Sequence, residues 1–288
     1  MLTSRYELLG TVGEGAMGVV WHAHDRVRGI DVALKTVRPE LARWSEVAAC
    51  LRAEADLCAR MLSPHVVQVL DVCTKPGEAY IAYELLHGET LGALLERQRF
   101  LPIETVREIV TQVSRALSRV HALGVVHRDV KPDNIFLVPR VDGRFHVKLL
   151  DFGIADGGDH PVDFAGTLEY MPPEVVLGHR RADRTADLYA LGVVAYECLA
   201  GVCPYEGESA DDLLQRFTTE AAPIHEIRTD LSVEVSDWMA RAIHQDPAGR
   251  FQSIPVPACW HCGRRSVTAW SRMDTAVLRS PVLSACHT

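Results

Sequence analysis

The periodicity of the chain changes character once, at His87-Gly88-Glu89-Thr90, and that break constrains the fold more than any other feature. Before it, apolar residues come in short runs separated by turn residues: Tyr6-Glu7-Leu8-Leu9, Gly18-Val19-Val20-Trp21, Val32-Ala33-Leu34-Lys35, Val66–Val72 and Ala79–Leu85. Runs of this length, bounded by glycine and polar clusters, predict strands. One stretch, 46–62, departs from them, with Val47, Leu51, Cys58 and Met61 at helical spacing. After the break the pattern is helical. Ile103–Leu123 sets Val106, Ile109, Val110, Val113, Leu117 and Val120 on one face, with Gly124 as a stop. Leu188–Leu199 is apolar nearly all round, which predicts a helix inside the larger part. Ser209-Ala210-Asp211-Asp212 has the form of a capping box opening another. The expected fold class is α+β and bilobal: a small β-rich lobe over 1–86, a larger helical lobe over 87–253, and a cleft at a hinge near 84–88.

Composition narrows the function. The chain has 288 residues, 48% hydrophobic, and a net charge of −8 spread without blocks. That is enough for two cores, and it lacks the clustered basic face that a nucleic-acid partner requires. The most apolar stretch, Leu188–Ala195, is too short to span a bilayer, and Met1–Glu7 holds no apolar signal core. The expectation is a cytoplasmic chain with no membrane segment and no nucleic-acid partner. Of eight cysteines, Cys50, Cys58, Cys73, Cys198 and Cys203 stand singly among apolar residues, and read as small buried thiols rather than a disulfide frame.

The candidate chemistry begins at Gly13-Glu14-Gly15-Ala16-Met17-Gly18-Val19. Glycines at this spacing let a strand–turn–strand close over phosphates without side chains blocking the backbone amides. A dinucleotide-binding turn shares the spacing but opens a helix, whereas Val19-Val20-Trp21 reads as strand. Lys35 closes a buried run, and Glu54 interrupts the apolar face of 46–62; pairing them relieves both and leaves the lysine beside phosphates. In His127-Arg128-Asp129-Val130-Lys131-Pro132-Asp133-Asn134, Asp129 can accept a hydroxyl proton and Asn134 can reach a metal. Lys148-Leu149-Leu150-Asp151-Phe152-Gly153 puts a carboxylate at the end of a buried strand, where Asp151 can hold Mg2+ between phosphates.

These motifs, in this order, resemble the eukaryotic-like (Hanks-type) Ser/Thr protein kinases, in particular their bacterial branch. The resemblance covers 6–253 and extends to Gly166-Thr167, Met171-Pro172-Pro173-Glu174, Asp187-Leu188-Tyr189-Ala190-Leu191-Gly192 and Arg250. It implies a protein kinase fold, ATP and Mg2+ as cofactors, and a protein Ser/Thr hydroxyl as acceptor. It further implies that Gly13, Glu14, Gly15, Ala16, Met17 and Gly18 cover the phosphates, that Val20 and Ala33 roof the adenine, and that Glu84 and Leu86 meet its edge, with Tyr83 behind. Lys35, Glu54, Asp129, Lys131 and Thr167 would be the catalytic set, Lys131 marking a Ser/Thr enzyme, and Asn134 and Asp151 the metal ligands. Asp187 would anchor the catalytic loop, and Glu174 would pair with Arg250. A catalytically weak pseudokinase, acting as an ATP-binding signalling module, is the alternative. A small-molecule phosphotransferase shares the catalytic loop but not Lys131 with Gly166-Thr167 and Pro173-Glu174.

Two segments depart from the resemblance. Between Gly153 and Gly166 there is no Ser or Thr, only Asp156, Asp159 and Asp163, so Arg128 has no evident phosphate to meet. After Ser253, residues 254–288 lose clear periodicity. Cys259, His261, Cys262, Cys286 and His287 offer a weak zinc pattern there, and a disordered or artefactual tail is preferred to it.

Overall fold

Period-two alternation builds the first layer. The computed structural model describes residues 5–15, 18–37, 63–75, 78–151, 168–205, 207, 210–217, 219–254 and 260. Strands β1 (Tyr6–Gly15), β2 (Gly18–Asp25) and β3 (Ile30–Val37) form an antiparallel meander; β5 (Tyr80–Glu84) and β4 (Val69–Cys73) complete a five-stranded sheet in the order β1-β2-β3-β5-β4. β1 runs well past the Tyr6–Leu9 expected from sequence. Register shifts between Leu8 and Gly10 and between Thr11 and Gly13 let it keep pairing with β2 as far as Gly15.

The two faces of this sheet have different tasks. One buries Tyr6, Ala23, Val32, Leu34, Tyr80 and Ala82. On its border the Asp71 carboxylate accepts from Arg5, Tyr6 and Tyr80; burial, with this bond second, pushes the Tyr80 phenol up to about 12. The other face gathers Val67, Ala79, Ile81 and Tyr83, with Ala33, Leu86 and Leu150 packed against them. Val20 lies opposite Lys35, and Ala33 opposite Tyr83, so Val20, Ala33 and Lys35 share this second face.

The rest is organised around one buried helix. A second sheet, in the order β6-β7-β8, pairs β6 (Glu89–Thr90), β7 (Ile135–Pro139) and β8 (Phe145–Leu149). Helix α1 (Leu91–Arg97) is capped by Thr90, and α2 (Ile103–Ala122) buries the stripe read from sequence, with Gly124 at φ +75° beyond its end. After a short α3 (Pro173–Val176), helix α4 (Arg184–Ala200) is capped by Asp183, buries nearly every side chain and stops at Gly201, φ +75°. Helices α5 (Ala210–Arg216), α6 (Ile224–Ile227) and α7 (Val233–Ala242) follow. A Cβ on Gly192 would sit 2.8 Å from the Ala242 Cβ and 3.1 Å from its backbone, so glycine there lets α4 and α7 close.

Three expectations need correction or limit. Val66–Val72 is not one strand: only Val69–Cys73 joins the sheet, while Val66 bridges Leu149, with Val67 N–H to Leu149 O at 3.0 Å and Leu149 N–H to His65 O at 2.9 Å. A partner distant in sequence captured those backbone groups. Of the thiols, Cys198 is buried, whereas Cys73 and Cys203 are half-buried; Cys50 and Cys58, the helix at 46–62, the cap at Ser209, the aspartates at 156, 159 and 163 and the cysteine–histidine set of the tail lie outside the described residues. Among those described, no helix is long and apolar enough to cross a membrane, and no group of three metal-type ligands converges.

The segment after Ser253 touches the helical core at two described residues, the half-buried Ile254 and the buried Trp260. Trp260 is 8% exposed, and its ring lies 5.1 Å from that of Trp238 on α7, perpendicular to it. Trp238 also stacks 5.4 Å from Phe251. Trp260→Ala removes one ring of this cluster and should destabilise the fold by about 3 kcal/mol. Thermal melting checks this: an unchanged midpoint would show that the indole contributes no packing.

Candidate active site

The catalytic-loop residues hang from α4. Asp187, 1% exposed, accepts from His127 N–H at 2.8 Å through Oδ2 and from Arg128 N–H at 2.8 Å through Oδ1. His121, at the end of α2, adds Nε2 to the same Oδ2 at 2.7 Å. A buried carboxylate is stable only with such donors. Arg128 thereby sits at φ +70°; with Asp151 at +30°, these are the only non-glycine residues of positive φ among those described. Backbone strain of this kind is kept where surroundings impose it and concentrates at functional sites.

His127 fixes the next link. It is fully buried, and burial pushes its imidazole pKa down, so the ring is neutral. Nε2 donates to Leu150 O at 2.9 Å, and Nδ1 accepts from Asp129 N–H at 3.3 Å. Protonation would place a hydrogen on Nδ1 against that N–H. With the folded pKa depressed, this contribution is present above about 6.5 and lost as pH falls.

The Asp129 carboxylate is thus held from its backbone. Lys131 Nζ lies 2.9 Å from Oδ2, and Asn134 Nδ2 donates to Oδ2 at 2.7 Å and to Asp129 O at 2.8 Å. Oδ1 is buried, with no hydrogen-bond partner among the described residues. Asn134 belongs to a 3-10 turn, Pro132–Asn134, and its carbonyl receives Leu150 N–H at 2.8 Å, bringing the loop to the end of β8. There Asp151, 44% exposed at its side chain, meets Lys35 Nζ from β3 at 2.8 Å. Lys35, Asp129, Lys131, Asn134 and Asp151 thus share one network across the cleft.

Gly13 pairs with Val20, and Gly15 with Gly18, in the strand–turn–strand expected from sequence. A Cβ on Gly13 would meet nothing within 4 Å, and its backbone has no positive φ. Neither packing nor conformation asks for glycine there. Glu84 gives its N–H to Gln68 O at 3.0 Å; its carboxylate accepts from Gln68 N–H at 2.8 Å and from Lys148. Ala16, Met17, Glu54 and Thr167 lie outside the described residues.

Arg250, with a fully buried side chain, makes the expected double contact with Glu174, at 2.7 and 2.8 Å. Three functional partners escaped the sequence reading: His121, Lys148 and Gln68. Lys148, three residues before Asp151 on a buried strand, was legible as an anomalous charge; the other two carry no local signal.

Comparison with known proteins gives the same direction. The model of the protein kinase domain family matches residues 6–256. A probable serine/threonine-protein kinase of Clostridium perfringens is 36% identical over 259 residues, covering 88% of this chain and 37% of that protein. Serine/threonine-protein kinase PknA of Mycobacterium tuberculosis is 36% identical over 262 residues, covering 88% and 59% respectively. The chain therefore spans under two thirds of the length of these relatives. The solved kinase domain of Mycobacterium tuberculosis PknI superposes with a TM-score of 0.67 at 29% identity, over 87% of this chain and 92% of that one.

Proposed function

Because the chain belongs to the protein kinase domain family, we propose that it is a Ser/Thr protein kinase, transferring the γ-phosphate of Mg-ATP to a hydroxyl of a protein substrate. The observation that carries this reading is the Asp129 carboxylate: one oxygen is pinned by Lys131 and Asn134, the other buried and without a hydrogen-bond partner among the described residues. A buried acceptor left without a donor is costly, and a substrate hydroxyl supplies one. Asp129 then orients the nucleophile and takes its proton as the phosphoryl group moves.

The donor set suits a nucleotide with a divalent ion. Asp151 is a half-exposed carboxylate, and Asn134 has its Nδ2 tied to Asp129, which leaves the amide Oδ1 for a cation. Hard oxygen donors of this number fit Mg2+, which keeps waters and phosphate oxygens as its remaining ligands. Once bound, the ion would neutralise charge on the β- and γ-phosphates. Lys35 would swing from Asp151 to the α- and β-phosphates, with Glu54 and Thr167 proposed to steady Lys35 and Asp129. Lys131 would follow the charge on the moving phosphoryl group. Gly13 to Gly18 leave room for backbone amides to approach the phosphates; Val20 and Ala33 would cover the adenine, whose edge meets the Glu84 carbonyl and the Leu86 backbone.

The direct test is transfer of labelled phosphate from ATP by the purified chain to itself and to a generic basic protein, with Asp129→Asn as control. Transfer by the parent and none by the variant is expected; equal labelling by both would remove Asp129 from the mechanism. ATP binding without transfer by the parent would leave the pseudokinase reading. Lys35→Met should lower transfer by on the order of 10^2-fold, through loss of one positioned cation. The exchange Lys35→Glu with Glu54→Lys should not restore it, because phosphates need the cation on β3. Wild-type rates from the exchanged pair would show that only the bridge matters.

A further inference from the structure

Outside the cleft, a cavity of about 820 Å3 opens between α2 and the β7–β8 hairpin, with no lining residue from the catalytic network. Its walls carry Arg107 and Arg115 from α2, eight residues apart and so on one helix face, and Arg140 and Arg144 from the hairpin. Arg140 N–H bonds to Arg144 O at 2.8 Å, which holds these two like charges across from each other. Such pairs cost stability unless something negative lies between them.

Only part of that charge is answered locally. Asp142 meets Arg144 at 3.0 Å and Arg140 at 3.6 Å, and Glu104 meets Arg107 at 3.1 Å. Each guanidinium has five N–H donors, so each keeps others. Around the cavity itself, four arginines face two glutamates, Glu104 and Glu108, in a chain of net charge −8. The floor is firm: the Gln112 amide bonds Phe145 O at 2.9 Å and Val147 N–H at 3.0 Å, one on each side of His146. His65, 9% exposed, donates Nδ1–H to Val147 O at 3.0 Å, which leaves Nε2 as an acceptor. Burial, with smaller repulsion from Arg115 among others, pushes its pKa down and keeps it so.

We propose that this cavity docks a phosphorylated peptide segment carrying a neighbouring basic residue. The phosphate dianion is taken by Arg140, Arg144 and Arg115, whose planar forks match its oxygens. The basic residue meets Glu108 and Glu104. This mixed lining disfavours an extended polyanion such as nucleic acid, which would have to run past both glutamates, and the volume suits a few residues of peptide.

The experiment is fluorescence anisotropy on the full chain, its cleft filled with a non-hydrolysable ATP analogue. The probe is a labelled short peptide with one phosphothreonine and one arginine. Saturable binding is expected, weakened by added salt and at least ~10-fold by Arg140→Glu or Arg144→Glu, both exposed and so compatible with folding. Arg115→Glu should act in the same direction. Basal transfer to a generic substrate should be unchanged in all three. Equal binding of the unphosphorylated peptide, tighter binding of single-stranded DNA, full competition by equimolar inorganic phosphate, or indifference to the three substitutions would each overturn the proposal.

Discussion

Asp151→Asn should abolish phosphoryl transfer and leave the fold intact. The side chain is 44% exposed and its ion pair is with Lys35, so its removal uncovers no core. Its backbone sits at φ +30°, where Asp and Asn are the side chains best tolerated after glycine, so Asn adds no strain. What the amide cannot supply is the negative charge a divalent ion needs. A loss on the order of 10^3-fold in rate is expected, the scale of removing one well-placed electrostatic group. Two measurements separate chemistry from folding. The melting midpoint without nucleotide should match the parent, and the extra stabilisation by Mg-ATP over ATP with chelator should vanish. Sustained turnover in saturating Mg-ATP would sink the assignment of Asp151 to the metal.

Arg250→Ala should have the largest effect on stability. The guanidinium is fully buried, meets both Glu174 oxygens, donates to the carbonyls of His244 (2.6 Å) and Gln245 (2.9 Å), and lies 4.6 Å from the Tyr189 ring centroid on α4. Truncation leaves a mostly buried carboxylate and two carbonyls without their donor, a loss of about 4 kcal/mol. For a domain of this size that lowers the melting midpoint by roughly 10 °C. Glu174→Gln, which keeps the shape and one acceptor, should cost clearly less. Equal losses in the two variants would mean that packing of the arginine, not its charge pair, matters.

Much of this was legible in sequence because the information is local. Residues such as Asp129, Lys131 and Asn134 lie within a few positions of one another, and a short loop can only bring them together. The apolar stripe of α2 and the all-round apolarity of α4 likewise report burial directly. Asp187 was legible only by resemblance, since nothing in its neighbourhood says which backbone it will hold. His121 approaches it across 66 positions and Lys148 approaches Glu84 across 64, and neither pairing leaves a periodic trace. The division of Val66–Val72 between two sheets failed for the same reason: alternation shows which side chains are buried, not which strand claims the backbone. The arginine-lined cavity needs α2 and the hairpin in place before its charges become neighbours.

The split at residues 65–69 has a mechanical consequence. His65 and Val67 are bonded to β8, and Glu84 is tied to Lys148, so the β4–β5 border of the small sheet is fastened to the helical part. The opposite border, β1, lies four strand spacings away, about 19 Å. The Lys35–Asp151 pair is a second tie, on β3; were it released, the sheet would act as a lever pivoted at β4–β5, with its far end at the Gly15–Gly18 pair. A tilt of about 10° would carry Gly15 and Gly18 through roughly 3 Å, while Glu84 on β5 scarcely moves. Such leverage would let the glycine end of the cleft open while the Glu84 end keeps its shape.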